Sequence, residues 1–189
     1  VRTTTGSIEI AASKDVVLSA GSGNAPVQAA VYVAGAPSAE PVRSSTAERG
    51  AWQQFTAHGG RLDVRAGHDI VQPVASQLFN NWFFQTGSKA ANVAWASSFD
   101  SFKQGWGSFG GGNLSLSAGN NIVNPGVAAP TSARTVASAD ETPVYSQVVE
   151  NGGDILVRAG NDIVGGAYFL GRGQGRIEAG GSILKGEPV

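Results

Sequence analysis

The 189-residue chain contains no cysteine and no methionine. Without cysteine, neither a disulfide framework nor a thiolate metal site can form. Without methionine, Val1 is not a natural start, and the chain is expected to be cut from something longer. No apolar run reaches the roughly 18 residues of a membrane span, so no membrane insertion is expected, and no signal peptide is present. Export would then be directed by sequence outside this stretch, and a cysteine-free chain fits passage across membranes unfolded. Charge is also sparse, at 14% against about a quarter in an average domain. A net charge of −1 with both signs interspersed argues against a nucleic-acid partner, though not against neutral sugars.

Glycine is abundant, with 27 residues, and 41% of the chain is hydrophobic, too much for a disordered segment. Many glycines with few charges and ordinary apolar content point to short strands joined by tight turns.

Five segments repeat. Three are close copies: 60–71 (GRLDVRAGHDIV), 112–123 (GNLSLSAGNNIV) and 153–164 (GDILVRAGNDIV). Two are looser, 6–17 (GSIEIAASKDVV) and 173–184 (GQGRIEAGGSIL). Leu62, Val64 and Ala66 alternate with Arg61, Asp63 and Arg65, which places the apolar set on one face of a strand. Gly67, Gly119, Gly160 and Gly180 are expected to supply a corner of positive φ. Asp69, Asn121 and Asp162 beside them tolerate such geometry and are expected to bond their own backbone. Ile70, Ile122, Ile163 and Ile183 then re-enter the core.

One such unit cannot bury its apolar face alone, whereas stacked units can. Successive copies begin at Gly6, Gly60, Gly112, Gly153 and Gly173, which is 54, 52, 41 and 20 residues apart. Twenty residues suit one coil of a β-helix; the longer spacings imply drifted intermediate coils together with inserted loops. The fold class expected is all-β, a right-handed parallel β-helix with side insertions, one of them containing short helices. Residues 1–189 are read as one such segment, with insertions near 23–52, 72–109 and 124–148. An antiparallel β-sandwich would also show alternation, but hairpin dipeptides are nearly absent, Asn151-Gly152 being the one instance.

The Gly-x-Φ-x-Φ-x-Ala-Gly-x-[Asn/Asp]-Ile units, where Φ is apolar, resemble the repeats of filamentous-haemagglutinin-like exoproteins. These are the secreted partners of two-partner secretion systems in Gram-negative bacteria. The stretches 1–12 (VRTTTGSIEIAA), 30–35 (AVYVAG), 104–112 (QGWGSFGGG) and 168–176 (YFLGRGQGR) carry the same likeness. The resemblance implies a secreted, cell-surface β-helical shaft exported by an outer-membrane transporter. Its implied role is adhesion or scaffolding towards host cells, other bacteria or matrix, including biofilm, with glycan or protein receptors as partners. A shaft for a toxin-delivery exoprotein is the alternative within the family. The family's N-terminal secretion signal and its toxin modules have no match here.

Between Ser76 and Phe109 lies an aromatic-rich interruption. Trp95, Phe99, Phe102 and Trp106 fall at i, i+4, i+7 and i+11, a helical stripe that predicts one or two short helices on the flank. Trp82, Phe84, Trp95 and Trp106 are the candidate contacts for a sugar or partner protein. At helical spacing they equally suit anchoring the insert, with Trp82, Trp95 and Trp106 buried. In 23–52, Val31-Tyr32-Val33 alternates as a strand would, and 124–147, with Pro125, Pro130 and Pro143, reads as an exposed loop.

An enzyme is the competing class, because some β-helix proteins cleave polysaccharides with paired carboxyls. Asp15, Asp69 and Asp162 stand at the turns, with Asp63 and Asp154 on strands, yet the turn position varies among Asp, Asn and Ser. That variation fits turn chemistry, so no catalytic residue is assigned and no cofactor is expected. His58 and His68 are the only histidines, and no third zinc ligand is evident beside them. Gly105–Gly110 fits GxGxxG but enters a strand rather than a helix.

Overall fold

The computed structural model describes residues 1–19, 29–43, 51–74, 77–87 and 93–186. Within them the molecule is all-β, with three parallel sheets of five strands and one further sheet of antiparallel strands. The first parallel sheet contains Arg2–Thr3, Ala29–Val33, Gln104–Ser108, Gly126–Ala129 and Ala167–Leu170. The second contains Ile8–Ala12, Leu62–Ala66, Leu114–Ala118, Ile155–Ala159 and Gly175–Ala179. The third contains Val16–Val17, Ile70–Val71, Ile122–Val123, Ile163–Val164 and Ile183–Leu184. The chain visits the sheets in rotation, so each layer contributes one strand to each.

The repeats stack in register. Ile10, Val64, Leu116, Val157 and Ile177 are consecutive partners, as are the five alanines Ala12, Ala66, Ala118, Ala159 and Ala179. In the third sheet Val16, Ile70, Ile122, Ile163 and Ile183 do the same. Except for Ile177 and Ile183, which are exposed in the last layer, these side chains form one inner column with Val31, Val33, Trp106, Val127 and Ala129 of the first sheet. Burying each large aliphatic among them contributes about 1.5–3 kcal/mol. Consecutive copies pair directly, so the expected intermediate coils do not exist. All the extra spacing is in the connections.

The corner glycines work differently from the expectation. None of Gly67, Gly119, Gly160 and Gly180 has positive φ; Gly35, Gly165 and Asn124 are among the residues that do. What these corners require is close approach. A Cβ on Gly119 would lie 2.2 Å from the carbonyl oxygen of Gly67 one layer below, and one on Gly160 would lie 2.1 Å from that of Gly119. The layers meet backbone to backbone, and no side chain fits between them.

Nor do the adjacent Asp and Asn side chains bond their own backbone. Each accepts the N–H of its equivalent in the next layer. Asp15 Oδ1 accepts from Asp69 (3.1 Å), Asp69 Oδ1 from Asn121 (2.8 Å), Asn121 Oδ1 from Asp162 (3.0 Å) and Asp162 Oδ1 from Ser182 (2.7 Å). The corner N–H groups point between layers, out of reach of a side chain in their own turn. Asn121→Ala removes one acceptor from the middle of this ladder, and a part-buried N–H loses its partner. Stability is expected to fall by about 1–2 kcal/mol, read from the urea midpoint at unchanged denaturant slope.

Among the described residues, much of the expected insertions is strand. Ala29–Val33, Gln104–Ser108 and Gly126–Ala129, all inside the expected insertion bounds, are strands of the first parallel sheet. Residues 124–147 are an exposed loop only in part: after Gly126–Ala129 the chain forms an antiparallel hairpin from Thr131–Ala137 and Tyr145–Asn151, and the connection 138–144 with Pro143 is the part that is irregular and largely exposed. Ala36–Arg43 and Trp52–Ala57 form a second hairpin, and Phe83–Thr86 pairs antiparallel with Ala94–Ser97. Residues 23–28, 44–50, 75–76 and 88–92 of the expected insertions lie outside the described residues.

Among the described residues there is no α-helix in the aromatic stretch, only three-residue 3-10 turns at Phe79–Asn81 and Phe99–Ser101. Trp95 and Trp106 are strand residues. Their helical spacing is a coincidence of two strands separated by a turn, with tertiary packing overriding a short periodic signal.

Candidate functional site

The first parallel sheet is covered on both faces. Its inward residues Val31, Val33, Trp106 and Val127 fill the column. Its outer face, with Tyr32, Phe109, Ala128 and Phe169, carries a second cluster completed by Trp82, Phe83, Phe99 and Phe102 from the insertion. The rings meet mainly edge to face. Trp82 lies 5.3 Å from Phe102 at 86° and 5.3 Å from Phe169 at 81°, while Tyr32 lies 5.4 Å from Phe109 at 76°. The Arg2 guanidinium sits 5.3 Å from the centre of the Phe99 ring and 5.7 Å from that of Tyr32. Such contacts hold the insertion on the stack by aromatic burial.

Where this cluster meets the end of the insertion it opens into a small cleft, partly open to solvent. Leu78 (59% exposed) and Phe79 (56%) form one lip, Tyr168 (36%) belongs to the other side, and Trp82 and Phe102 lie at the back. Phe79 stacks on Phe169 at 5.5 Å with an 18° interplanar angle. Gln77 seats the lip: its Nε2 donates to the Gln104 carbonyl (3.0 Å) and its Oε1 accepts the Lys103 N–H (2.5 Å). The amide therefore stands in for a strand partner. Gln104 Oε1 is buried without a hydrogen-bond partner among the described residues and belongs to a cleft-lining side chain. Desolvation pushes the Tyr168 hydroxyl up to about 12, so it stays a neutral donor at physiological pH. No charged residue lines the cleft among those described.

The four aromatic candidates from the sequence do not converge. Trp106 is fully buried in the inner column, and Trp82, 3% exposed, lies behind the cleft. Neither offers a free face to a ligand. Phe84 and Trp95 are half-buried on the flanking antiparallel sheet, where Phe84 faces Ala96 and Trp95 faces Gln85 and Ala133. The exposed rings at the cleft are Phe79, four residues before Phe83 in the aromatic stretch, and Tyr168; neither is among the candidate contacts. Phe79 precedes an Asn-Asn turn, the one local hint that it sits on a projecting bend.

The corner ladder assembles a second group. His68 Nδ1 is 3.2 Å from Asp15 Oδ1 and 3.1 Å from Asp69 Oδ2. Asp15 and His68 are 53 residues apart, so sequence inspection found no ligand set, whereas layer register brings three donors together. The Asp69 backbone N–H, followed by smaller contributions from His68 and Lys14, holds the Asp15 carboxyl below its usual pKa. His58 lies elsewhere, before the second copy, with φ 54°. Asp63 pairs with Arg65 at 2.6 Å along its strand, and Asp154, which stands just before its strand rather than on it, accepts the Gln174 N–H at Oδ1.

Comparison of the chain with protein-family models, with curated proteins and with solved structures gives no match.

Proposed function

We propose that this chain is a right-handed parallel β-helical segment of a secreted, surface-exposed exoprotein of the filamentous-haemagglutinin type, and that it serves attachment rather than catalysis. The observation that carries the reading is the in-register stacking of five sequence repeats on three parallel sheets visited in rotation. Strand-crossover-strand connections between parallel strands are right-handed in about 98% of cases, which supplies the hand. Export of the full exoprotein would use an outer-membrane transporter partner.

The cleft is the contact assigned to this segment. Exposed Phe79, Leu78 and Tyr168 offer apolar faces, the Tyr168 hydroxyl offers a polar atom, and no lining residue among those described is charged. That combination suits the CH faces and hydroxyls of a neutral glycan. A glycan array probed with the chain, and with a Phe79→Ala, Tyr168→Ala variant, tests it. Binding of neutral glycans that weakens about tenfold or more in the variant, at unchanged thermal stability, is expected. Failure of every glycan to bind would leave the segment as a spacer.

A further inference from the structure

We infer that Asp15, His68 and Asp69 form a binding site for a divalent first-row transition cation such as Zn²⁺. The argument starts from the ladder. Its hydrogen bonds need only an acceptor at each step, and Asn121 serves as well as the Asp residues do. Two carboxylates on adjacent layers are therefore not required for folding. They stand one strand spacing apart, about 4.8 Å, and repel each other. Asp15 and Asp69 are the only such adjacent pair in the ladder, because Asn121 separates Asp69 from Asp162 and Ser182 follows. It is also at this pair that the neighbouring corner residue is histidine.

The geometry suits a shared cation. His68 Nδ1 lies 3.2 and 3.1 Å from the two carboxylate oxygens, and the three donor groups lie within 4.8 Å of one another. Ligand atoms about 2.0–2.1 Å from a tetrahedral cation are separated by about 3.4 Å, so little movement is needed to admit one. One imidazole nitrogen and two carboxylates match zinc and its neighbours, and two negative charges neutralise the cation. The carboxylates are already oriented. Asp69 Oδ1 is engaged by the Asn121 N–H and by the Asn120 amide (2.9 Å), which leaves Oδ2 for the cation. The side chains are part-exposed, 54% for His68, which leaves remaining coordination positions to water or to a ligand from outside.

The chain has two histidines and no cysteine, so the test is clean. Zn²⁺ is titrated into the chain while the imidazole nitrogens are followed by NMR. The His68 Nδ1 resonance is expected to move with His58 unaffected, and the melting temperature to rise. His68→Ala should abolish the response. Asp15→Asn and Asp69→Asn keep the ladder acceptor while removing the carboxylate, and each should weaken Zn²⁺ binding about tenfold or more with the fold intact. No shift at millimolar Zn²⁺, equal shifts at both histidines, or native affinity in both Asn variants would overturn the assignment.

Discussion

Gly112→Ala is expected to destabilise the protein by about 3 kcal/mol or more, and to prevent folding if the margin is small. The added Cβ would lie 2.0 Å from the carbonyl oxygen of Gly60 and 2.6 Å from its carbonyl carbon. Both are backbone atoms, and both layers are pinned beyond the corner by parallel pairing of Leu62 with Leu114. Neither side can yield without breaking ladder bonds. Gly175→Ala is the internal control. There the nearest atom to a new Cβ is the flexible end of Leu170 at 3.2 Å, and alanine would extend the inner column at a position where other layers carry Ile or Leu. That variant is expected to be neutral or more stable by up to about 1 kcal/mol, because the unfolded chain loses glycine's freedom. Urea denaturation of the two side by side decides the matter; equal costs would mean that the corners are not close-approach sites.

Trp106→Ala is expected to cost about 3–5 kcal/mol. The indole is fully buried and faces Val31 and Val127 across the first sheet, so truncation opens a cavity that a stack held on three sides cannot collapse to fill. Trp106→Phe should cost under about 2 kcal/mol. The indole Nε1 is buried without a partner among the described residues, so phenylalanine removes an unsatisfied donor while retaining most of the volume. Trp95→Ala, at a half-buried position on the flanking sheet, should cost less than Trp106→Ala. If Trp95 and Trp106 instead proved equally tolerant and both affected ligand binding, the column would not contain Trp106.

How much was legible varies from sheet to sheet. The second and third sheets could be read from alternation and from glycine spacing, and aligning the five copies by eye reproduces the register of Leu62, Leu114 and Ile155. Alternation survives there because one face of each strand meets solvent. The first sheet was less legible. Ala29–Val33, Gln104–Ser108 and Gly126–Ala129 have the column on one face and the aromatic cluster on the other, so polar residues no longer mark an outer side. The same double burial explains the insertion bounds that swallowed these strands. The hairpin from Thr131 to Asn151 was read as a loop because its Ala, Ser and Thr side chains suit a polar surface as well as an edge strand.

The chain alone determined where strands bend and which side chains point inward, because both depend on neighbours two or three residues away. The role of the corner residues was decided only by stacking. Gly119 is glycine on account of an oxygen one layer below, and Asp69 is an acceptor for an amide one layer above. The aromatic cleft and the Asp15–His68–Asp69 group likewise arise from residues tens of positions apart, joined by register. Contacts of that kind leave no local periodicity, since their spacing is set by the length of whichever insertion lies between.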